Sequence, residues 1–392
     1  MQRTKWTLPI IVLAQFCCIS LWFAGNGVME NLIESYALSS QSIGSLTSAV
    51  QLGFITGTLL YAFLTLADRY PPSRVFFLSA LLAAGFNMCL IWEGNTFFSL
   101  LASRFMTGFF LAGIYPVGMK IAADHFEKGL GRSLSFLVGA LVLGTAFPHL
   151  LKGSVIMASW QGVIWVTSGL SLLGGLLIFL FVPNGPYRLP GRPLKVGAIF
   201  IVFKNREFRG AALGYFGHMW ELYAFWAFVP VMLHTYGAMH SNVQIPISYW
   251  SFLIIGSGSL ACVLGGYISQ VIGVQKTAFR ALLLSGLCCL LSPLAFLLDA
   301  EAIFLSFLLF WGMVVIADSP LFSTMVANNA EGQLKGSALT LVNCIGFAIT
   351  IISIQLLSYL QNLTNPAYLY TVLALGPIIG LVALRKTISN PS

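Results

Sequence analysis

The sequence contains few charged residues. Asp, Glu, Lys and Arg make up 8% of its 392 residues, whereas soluble globular domains carry roughly 25%. Hydrophobic residues make up 58% of the chain. A chain of this composition cannot cover its surface with polar groups, so lipid must replace water around most of it. The shortage of charge therefore excludes an ordinary soluble protein.

The sequence also lacks the motifs of several kinds of chemistry. It contains neither a P-loop nor a Gly-x-Ser-x-Gly nucleophile motif, so we expect neither ATP-driven transport nor serine-type catalysis. The seven cysteines lie in apolar stretches without zinc-type spacing, which is typical of small buried hydrophobic residues. His218 and Glu221 are three residues apart but supply too few ligands for a metal ion. We therefore expect no catalytic residues, no metal and no cofactor.

Long apolar runs dominate the sequence instead. Each run has about twenty residues or more, enough to cross roughly 30 Å of hydrocarbon. The run that begins near Thr7 is longer than a signal-peptide core, and we interpret it as a retained first span. The sequence predicts an all-α integral membrane protein with twelve transmembrane helices. The predicted spans are 7–28, 44–66, 74–93, 97–123, 133–157, 161–182, 209–236, 247–272, 277–298, 302–327, 336–359 and 366–385.

The basic residues alternate between the predicted loops. Loops on one side hold almost all of them, and the opposite loops hold Lys152 together with Glu30, Glu34, Glu93, Asp299 and Glu301. The positive-inside rule then places both termini in the cytoplasm, in the inner membrane if the chain is bacterial. This dispersal over short loops also excludes nucleic acid as a partner and leaves the lipid bilayer. The cations of the basic side are Arg3, Lys5, Arg69, Arg74, Lys128, Arg132, Arg188, Arg192, Lys195, Lys204, Arg206, Arg209, Lys276, Arg280, Lys335, Arg385 and Lys386.

A linker rich in proline and basic residues divides the spans into two sets of six. We predict an N-terminal half at 1–182, a cytoplasmic linker at 183–208 and a C-terminal half at 209–392. A shift of 204 residues places Pro116 on Pro320. Transporters are often built from two such similar halves, so the pattern indicates a duplication.

Two motifs resemble those of a known family. The loop after the second span contains Asp68-Arg69 and ends at Arg74, and the fourth span carries Arg104-Phe-Met-Thr-Gly108. They are similar to the Asp-Arg loop and the Arg-x3-Gly motif of the major facilitator superfamily. The resemblance implies a monomer whose first, fourth, seventh and tenth spans line a central cavity. It also implies that Asp68, Arg69 and Arg74 form a cytoplasmic latch.

Four charged residues remain inside the predicted spans after the loops and span ends are assigned. They are Arg104 and Lys120 in the fourth, Glu221 in the seventh and Asp318 in the tenth. A charge at the bilayer centre costs roughly 2.5–3.5 kcal/mol, so each residue is a candidate for function. Lys120 lies near the cytoplasmic end, and we interpret it as snorkelling toward water. The other three belong to spans that line the cavity in the related family.

Helical spacing adds polar and aromatic neighbours to these charges. His218 is three residues from Glu221, and Trp22 and Asn26 share one face of the first span. Static ion pairs and ordinary packing are the alternative interpretation of these residues. The predicted substrate and proton site consists of Trp22, Asn26, Arg104, Tyr115, His218, Glu221, Trp311 and Asp318.

These residues predict proton-coupled uptake of a small polar or anionic organic solute by alternating access. Glu221 or Asp318 would take the proton, because removal from water favours the neutral form of a carboxylic acid. Arg104 would donate to a substrate carboxylate or pair with one acid, and His218 would adjust Glu221. The alternatives are proton-coupled export of drugs or metabolites and a receptor that moves no solute. The sequence leaves the substrate, the direction and the coupling ion open.

Overall fold

The structure is a computed structural model that describes residues 4–39, 41–126, 130–154, 159–188, 194–240, 243–330 and 334–388. Over these ranges the chain is helical and contains no strand, which confirms the predicted all-α class. Three cations of the predicted basic side, Arg3, Lys128 and Arg192, lie outside the described residues. The chain divides into two compact units, Met1–Pro193 and Leu194–Ser392.

Within its described residues the first unit contains ten α-helices and a 3-10 turn, Cys89–Ile91. Within it α4 packs on α7, α6 on α10, and α1 on both α9 and α10. The helices are α1 (Thr4–Ile19), α2 (Ala24–Gly27), α3 (Met29–Ser35), α4 (Ser42–Phe63), α5 (Leu66–Arg69), α6 (Pro72–Met88), α7 (Phe97–Leu111), α8 (Tyr115–His125), α9 (Leu130–Gly153) and α10 (Trp160–Phe181).

The part of the second unit that the structure describes contains eight α-helices and a 3-10 turn, Leu369–Ala374. Here α12 packs on α17 and α18, and α13 packs on α15. The helices are α11 (Ala198–Val202), α12 (Arg206–Met239), α13 (Ile247–Ile272), α14 (Val274–Leu297), α15 (Glu301–Ala317), α16 (Ser319–Asn329), α17 (Lys335–Leu360) and α18 (Leu375–Ile388).

The helices account for the predicted spans in three ways. Nine helical segments of the described ranges are long and apolar enough to cross a membrane. Two shorter apolar helices, Trp6–Ile19 and Leu369–Arg385, coincide with the first and twelfth predicted spans. The seventh span is α12, which has 34 residues. Its mean hydropathy is lower because His218 and Glu221 lie in its middle.

Helix starts follow local hydrogen-bond chemistry. At the start of α7 the Thr96 hydroxyl accepts from the Ser99 backbone N–H, and the Ser99 hydroxyl accepts from the Thr96 backbone N–H. At the start of α12 the Asn205 side chain accepts from two backbone N–H groups of the first turn. Such caps satisfy donors that have no partner inside the helix. They place the two helices that carry Arg104 and His218.

Three predicted spans are interrupted rather than continuous. The first breaks at residues 20–23, between α1 and α2, and the fourth breaks before Tyr115-Pro116. The tenth breaks at Asp318, before Ser319-Pro320. Proline cannot donate a backbone N–H, so Pro116 and Pro320 each fit the first turn of a new helix. The helical spacing from Arg104 to Tyr115 and from Trp311 to Asp318 would put each pair on one face of a continuous helix, and it does not apply across these breaks.

Glycines allow equivalent close contacts in the two units. A Cβ atom at Gly108 would collide with the carbonyl group of Val50, and one at Gly312 with that of Ile254. Both members of the second pair lie 204 residues after those of the first. Gly53 makes a similar approach to α7, as expected for a small-residue contact between membrane helices. The same offset that aligns the prolines thus aligns the helix packing.

Candidate functional site

Arg104 of the first unit lies at the break between α1 and α2. Its side chain is 1% exposed. Nη1 donates to the Leu21 carbonyl oxygen at 3.3 Å, and Nη2 donates to the Trp22 carbonyl oxygen at 2.5 Å. A helix break leaves carbonyl groups without their usual partners, and the planar guanidinium group satisfies two of them. The remaining donor, Nε, has no hydrogen-bond partner among the described residues.

The predicted neighbours of Arg104 on the first span also lie at this break. Asn26 is buried, and its Nδ2 donates to the Thr47 hydroxyl at 2.7 Å. The Asn26 Oδ1 atom has no hydrogen-bond partner in the described part of the chain. Trp22 packs on Phe54, with ring centroids 4.7 Å apart. The break thus places the Trp22 carbonyl group on Arg104, with Asn26 in the helix that follows, and Arg104 Nε and Asn26 Oδ1 have no hydrogen-bond partner among the described residues.

Tyr115 occupies a different position from the one predicted. It is the first residue of α8 and is partly buried. Residues 112–114, between α7 and α8, are not α-helical. The spacing that placed Tyr115 on the same face as Arg104 assumes an uninterrupted helix, so it does not establish that Tyr115 belongs to this group.

Glu221 of the second unit holds three helices together. It is 0% exposed and lies in the middle of α12. Its Oε1 accepts from Trp311 Nε1 at 2.6 Å, and its Oε2 accepts from the Ser285 hydroxyl at 2.9 Å. These donors come from α15 and α14. Both carboxylate oxygens therefore already accept hydrogen bonds from protein groups.

His218 contacts Asp318 rather than Glu221. The distance from His218 Nδ1 to Asp318 Oδ1 is 2.8 Å, and each side chain is 1% exposed. Among the described residues no hydrogen bond or ion pair joins His218 to Glu221, so the predicted action of His218 on Glu221 has no direct contact behind it. Asp318 lies between α15 and α16.

The His218–Asp318 pair lies among aromatic rings. Tyr215 and Phe322 have ring centroids 6.1 and 6.3 Å from that of His218. None of the polar side-chain atoms of His218 and Asp318 has a hydrogen-bond partner among the residues that the structure describes, so the 2.8 Å contact is an ion-pair distance without hydrogen-bond geometry. An apolar surrounding strengthens the attraction between the two groups and makes unsatisfied polar atoms costly. Both groups therefore keep open donor or acceptor sites.

The Asp-Arg loop is bound to other parts of the first unit. Asp68 Oδ1 lies 2.9 Å from Lys120 Nζ, and Lys120 Nζ lies 3.4 Å from Asp124 Oδ1. Arg188 Nη2 donates to the backbone oxygens of Asp68 and Tyr70 at 2.7 and 2.9 Å. Lys120 is therefore ion-paired as well as partly exposed. The sequence did not single out Asp124 or Arg188 as their partners.

The other two residues of the predicted latch face outward. Arg69 and Arg74 are both exposed. Within the described part of the first unit neither guanidinium group forms an ion pair. Their latch role stays a prediction. Among the described residues no group of three or more His, Cys, Asp or Glu is placed to hold a metal ion.

Two helical units, apolar helices that can cross a bilayer and buried charges at helix breaks define a multi-pass membrane protein of transporter type. A sequence model of the Major Facilitator Superfamily matches residues 11–354, and the chain belongs to this superfamily. The predicted resemblance is thereby confirmed over nearly the whole chain.

Curated relatives of the chain are transporters. The uncharacterized transporter YgaY of Escherichia coli O157:H7 is 25% identical over 52% of this chain and 53% of its own length. The galacturonate transporter of Dickeya chrysanthemi is 27% identical over 49% of this chain and 59% of its own length. The matches thus span between half and three fifths of these relatives.

Solved structures share the fold over almost the entire chain. The human organic anion transporter MFSD10 has a TM-score of 0.76 at 14% identity, over 97% of this chain and 99% of that one. A bacterial homolog of the human lysosomal transporter Spinster has a TM-score of 0.71 at 14% identity, over 100% and 99%. At this identity the likeness shows the fold alone.

Proposed function

We propose that the chain is a proton-coupled transporter that takes up a small organic anion by alternating access. The observation that carries the proposal is the buried His218–Asp318 contact of 2.8 Å. Ionisable groups inside a membrane protein are costly, and they commonly belong to proton or substrate pathways.

Asp318 and His218 are better suited to carry the proton than Glu221. Each has a polar atom without a hydrogen-bond partner in the described ranges, so a proton can enter or leave without breaking a helix contact. Glu221 accepts from Trp311 and Ser285, and protonation would weaken both bonds. In this proposal Glu221 fixes α12 to α14 and α15, while the His218–Asp318 pair changes its protonation.

Arg104 and Asn26 are the proposed contacts for the anion. Arg104 Nε is a buried donor without a described partner, and Asn26 adds a polar side chain at the same helix break. A guanidinium donor suits a carboxylate because the hydrogen bond is charge-assisted. Similarity to a galacturonate transporter supports an anionic substrate.

The remaining parts of the proposal concern the membrane. The charge asymmetry of the loops supports a cytoplasmic location for both termini, in the inner membrane of a bacterium. The proposed working form is a monomer. Asp68, together with Arg69 and Arg74, would regulate closure on the cytoplasmic side.

Proteoliposomes with a trapped pH indicator test the coupling. Galacturonate and a panel of small carboxylates serve as solutes. Wild-type protein should acidify the lumen when the solute enters, and Asp318→Asn should abolish this signal while solute counterflow persists. His218→Gln should reduce the signal at least 10-fold. Glu221→Gln is the matched control, since it neutralises a second buried acid of the same unit and should retain coupling.

Three results would contradict parts of the proposal. Full coupling in Asp318→Asn would remove the proton site, and lost coupling only in Glu221→Gln would move that site to Glu221. Solute efflux driven by an inward proton gradient would identify an exporter. Absence of counterflow for every solute in monodisperse protein would favour a receptor.

A further inference from the structure

A groove opens where three helices of the first unit end. The start of α1, the start of α6 and the end of α10 surround a volume of about 790 Å³. Its lining includes Trp6, Ile10, Arg74, Phe181 and Asn184. Pockets for small molecules commonly measure 300–1,000 Å³, so the groove can hold a ligand of that size.

One wall of the groove is apolar and exposed. Trp6 is 70% exposed, Leu180 is 63% exposed and Phe181 is 58% exposed. Large exposed side chains of this kind at a helix end are typical of the boundary between hydrocarbon and head groups, where tryptophan is enriched. The wall therefore suits acyl chains better than a water-soluble ligand.

The opposite part of the groove is cationic. Arg74 is exposed, lies in the first turn of α6 and forms no ion pair with any described residue of the unit. Arg74 is the charged side chain among the described residues that line the groove. Ser73 and Asn184 add polar side chains beside it. An anion at this place would meet the Arg74 guanidinium group.

We propose that this groove binds one anionic glycerophospholipid. Its phosphate would lie on Arg74, and its acyl chains would follow Leu180 and Phe181. The predicted topology places all three helix ends in the cytoplasmic leaflet, where anionic lipids attract basic side chains. Arg74 would then contact a lipid phosphate in addition to its proposed part in the latch. This inference does not depend on the proposed substrate or on proton coupling.

Native mass spectrometry of protein exchanged into nanodiscs provides the test. The discs contain phosphatidylglycerol and phosphatidylethanolamine in equal amounts. Wild-type protein should retain one phosphatidylglycerol after delipidating activation, and Arg74→Gln should lower the retained fraction at least 5-fold. Trp6→Ala should lower it about 2-fold, because the exposed indole forms part of the wall.

Arg280→Gln is the matched control. It removes the same charge from an exposed residue near the start of α14, on the same predicted side of the membrane. Retention equal to wild type in Arg280→Gln, with loss in Arg74→Gln, supports the site. Equal retention of phosphatidylglycerol by Arg74→Gln and wild type overturns the proposal. Retention of phosphatidylethanolamine equal to that of phosphatidylglycerol also overturns it, because it would indicate a non-specific lipid shell.

Discussion

The two units share a helix-packing scaffold but not their buried charges. The pair Gly108–Val50 recurs 204 residues later as Gly312–Ile254, and a proline begins the second part of the fourth and tenth spans alike. At the same offset Arg104 corresponds to an apolar leucine, and Asp318 to an apolar isoleucine. The glycines are constrained by a backbone that leaves no room for a side chain. A charge needs only a partner, so it can differ between the units.

The charges also differ in what they bind. Arg104 donates to backbone carbonyl groups at a broken first helix. The acids of the second unit bind side chains of α12, α14 and α15, and α12 is continuous from Arg206 to Met239. A cation thus stabilises a helix break in one unit, whereas side-chain hydrogen bonds join helices in the other. Breaking each kind of contact should have effects of different size.

The glycine contacts should give the largest effects on stability. Gly108→Ala and Gly312→Ala each place a methyl group against a backbone carbonyl, so the helices must separate. We expect each to lower the free energy of unfolding by about 3 kcal/mol. Denaturant unfolding in mixed micelles measures this change. Gly85→Ala is the control, because nothing lies within 4 Å of its Cβ position and helix propensity should improve by about 0.5–1 kcal/mol. If only one of the two substitutions lowers the free energy of unfolding, the two units do not share the same packing constraint at these glycines.

Hydropathy and charge predict most of the fold. Lipid restricts the membrane-spanning chain to helices, and the loop cations set the orientation of these helices in the membrane. The same scarcity of charge identifies Arg104, Glu221 and Asp318, since an ionisable residue in an apolar span is conspicuous. The helix breaks are harder to predict. Pro116 and Pro320 mark two of them, but no proline marks the break at residues 20–23.

The sequence could not predict which residues the buried charged groups contact. His218 lies three residues from Glu221, and this spacing suggested that His218 acts on Glu221. In the structure His218 contacts Asp318, which belongs to another span. Ser285 is one of many hydroxyl residues in the chain, so nothing in the pattern distinguishes it. Such pairings depend on the rotation and separation of neighbouring helices, and the helical period of a single span does not contain that information.

Trp311→Phe should have the next largest effect. It removes the donor to Glu221 Oε1 and leaves a buried carboxylate oxygen without that hydrogen bond. We expect a loss of about 1.5–3 kcal/mol in the free energy of unfolding. Glu221→Gln measured alone and combined with Trp311→Phe forms a double-mutant cycle. Strictly additive losses in the free energy of unfolding would mean that the bond contributes little to the stability of the folded state. Glu221 would then not join α12 to α15 through this bond.

Arg104→Lys should be milder, since the positive charge stays. A lysine ammonium cannot reproduce the planar fork that reaches both the Leu21 and Trp22 carbonyl oxygens. We expect a loss of about 1 kcal/mol, the net value of one hydrogen bond. Arg280→Lys on the exposed start of α14 is the control and should change stability by less than about 0.5 kcal/mol. An equal change in the two variants would show that the fork at the helix break is dispensable.

The Asp68–Lys120 ion pair should have the smallest effect of the four. Both side chains are 24% exposed, so water and salt screen the attraction. We expect Lys120→Met to lower the free energy of unfolding by about 0.2–1 kcal/mol, with a smaller loss at high salt. Lys204→Met, a cation of the second unit outside this cluster, is the comparison variant. A loss above about 2 kcal/mol that persists in 1 M salt would mean that Lys120 holds the Asp-Arg loop through more than a screened ion pair.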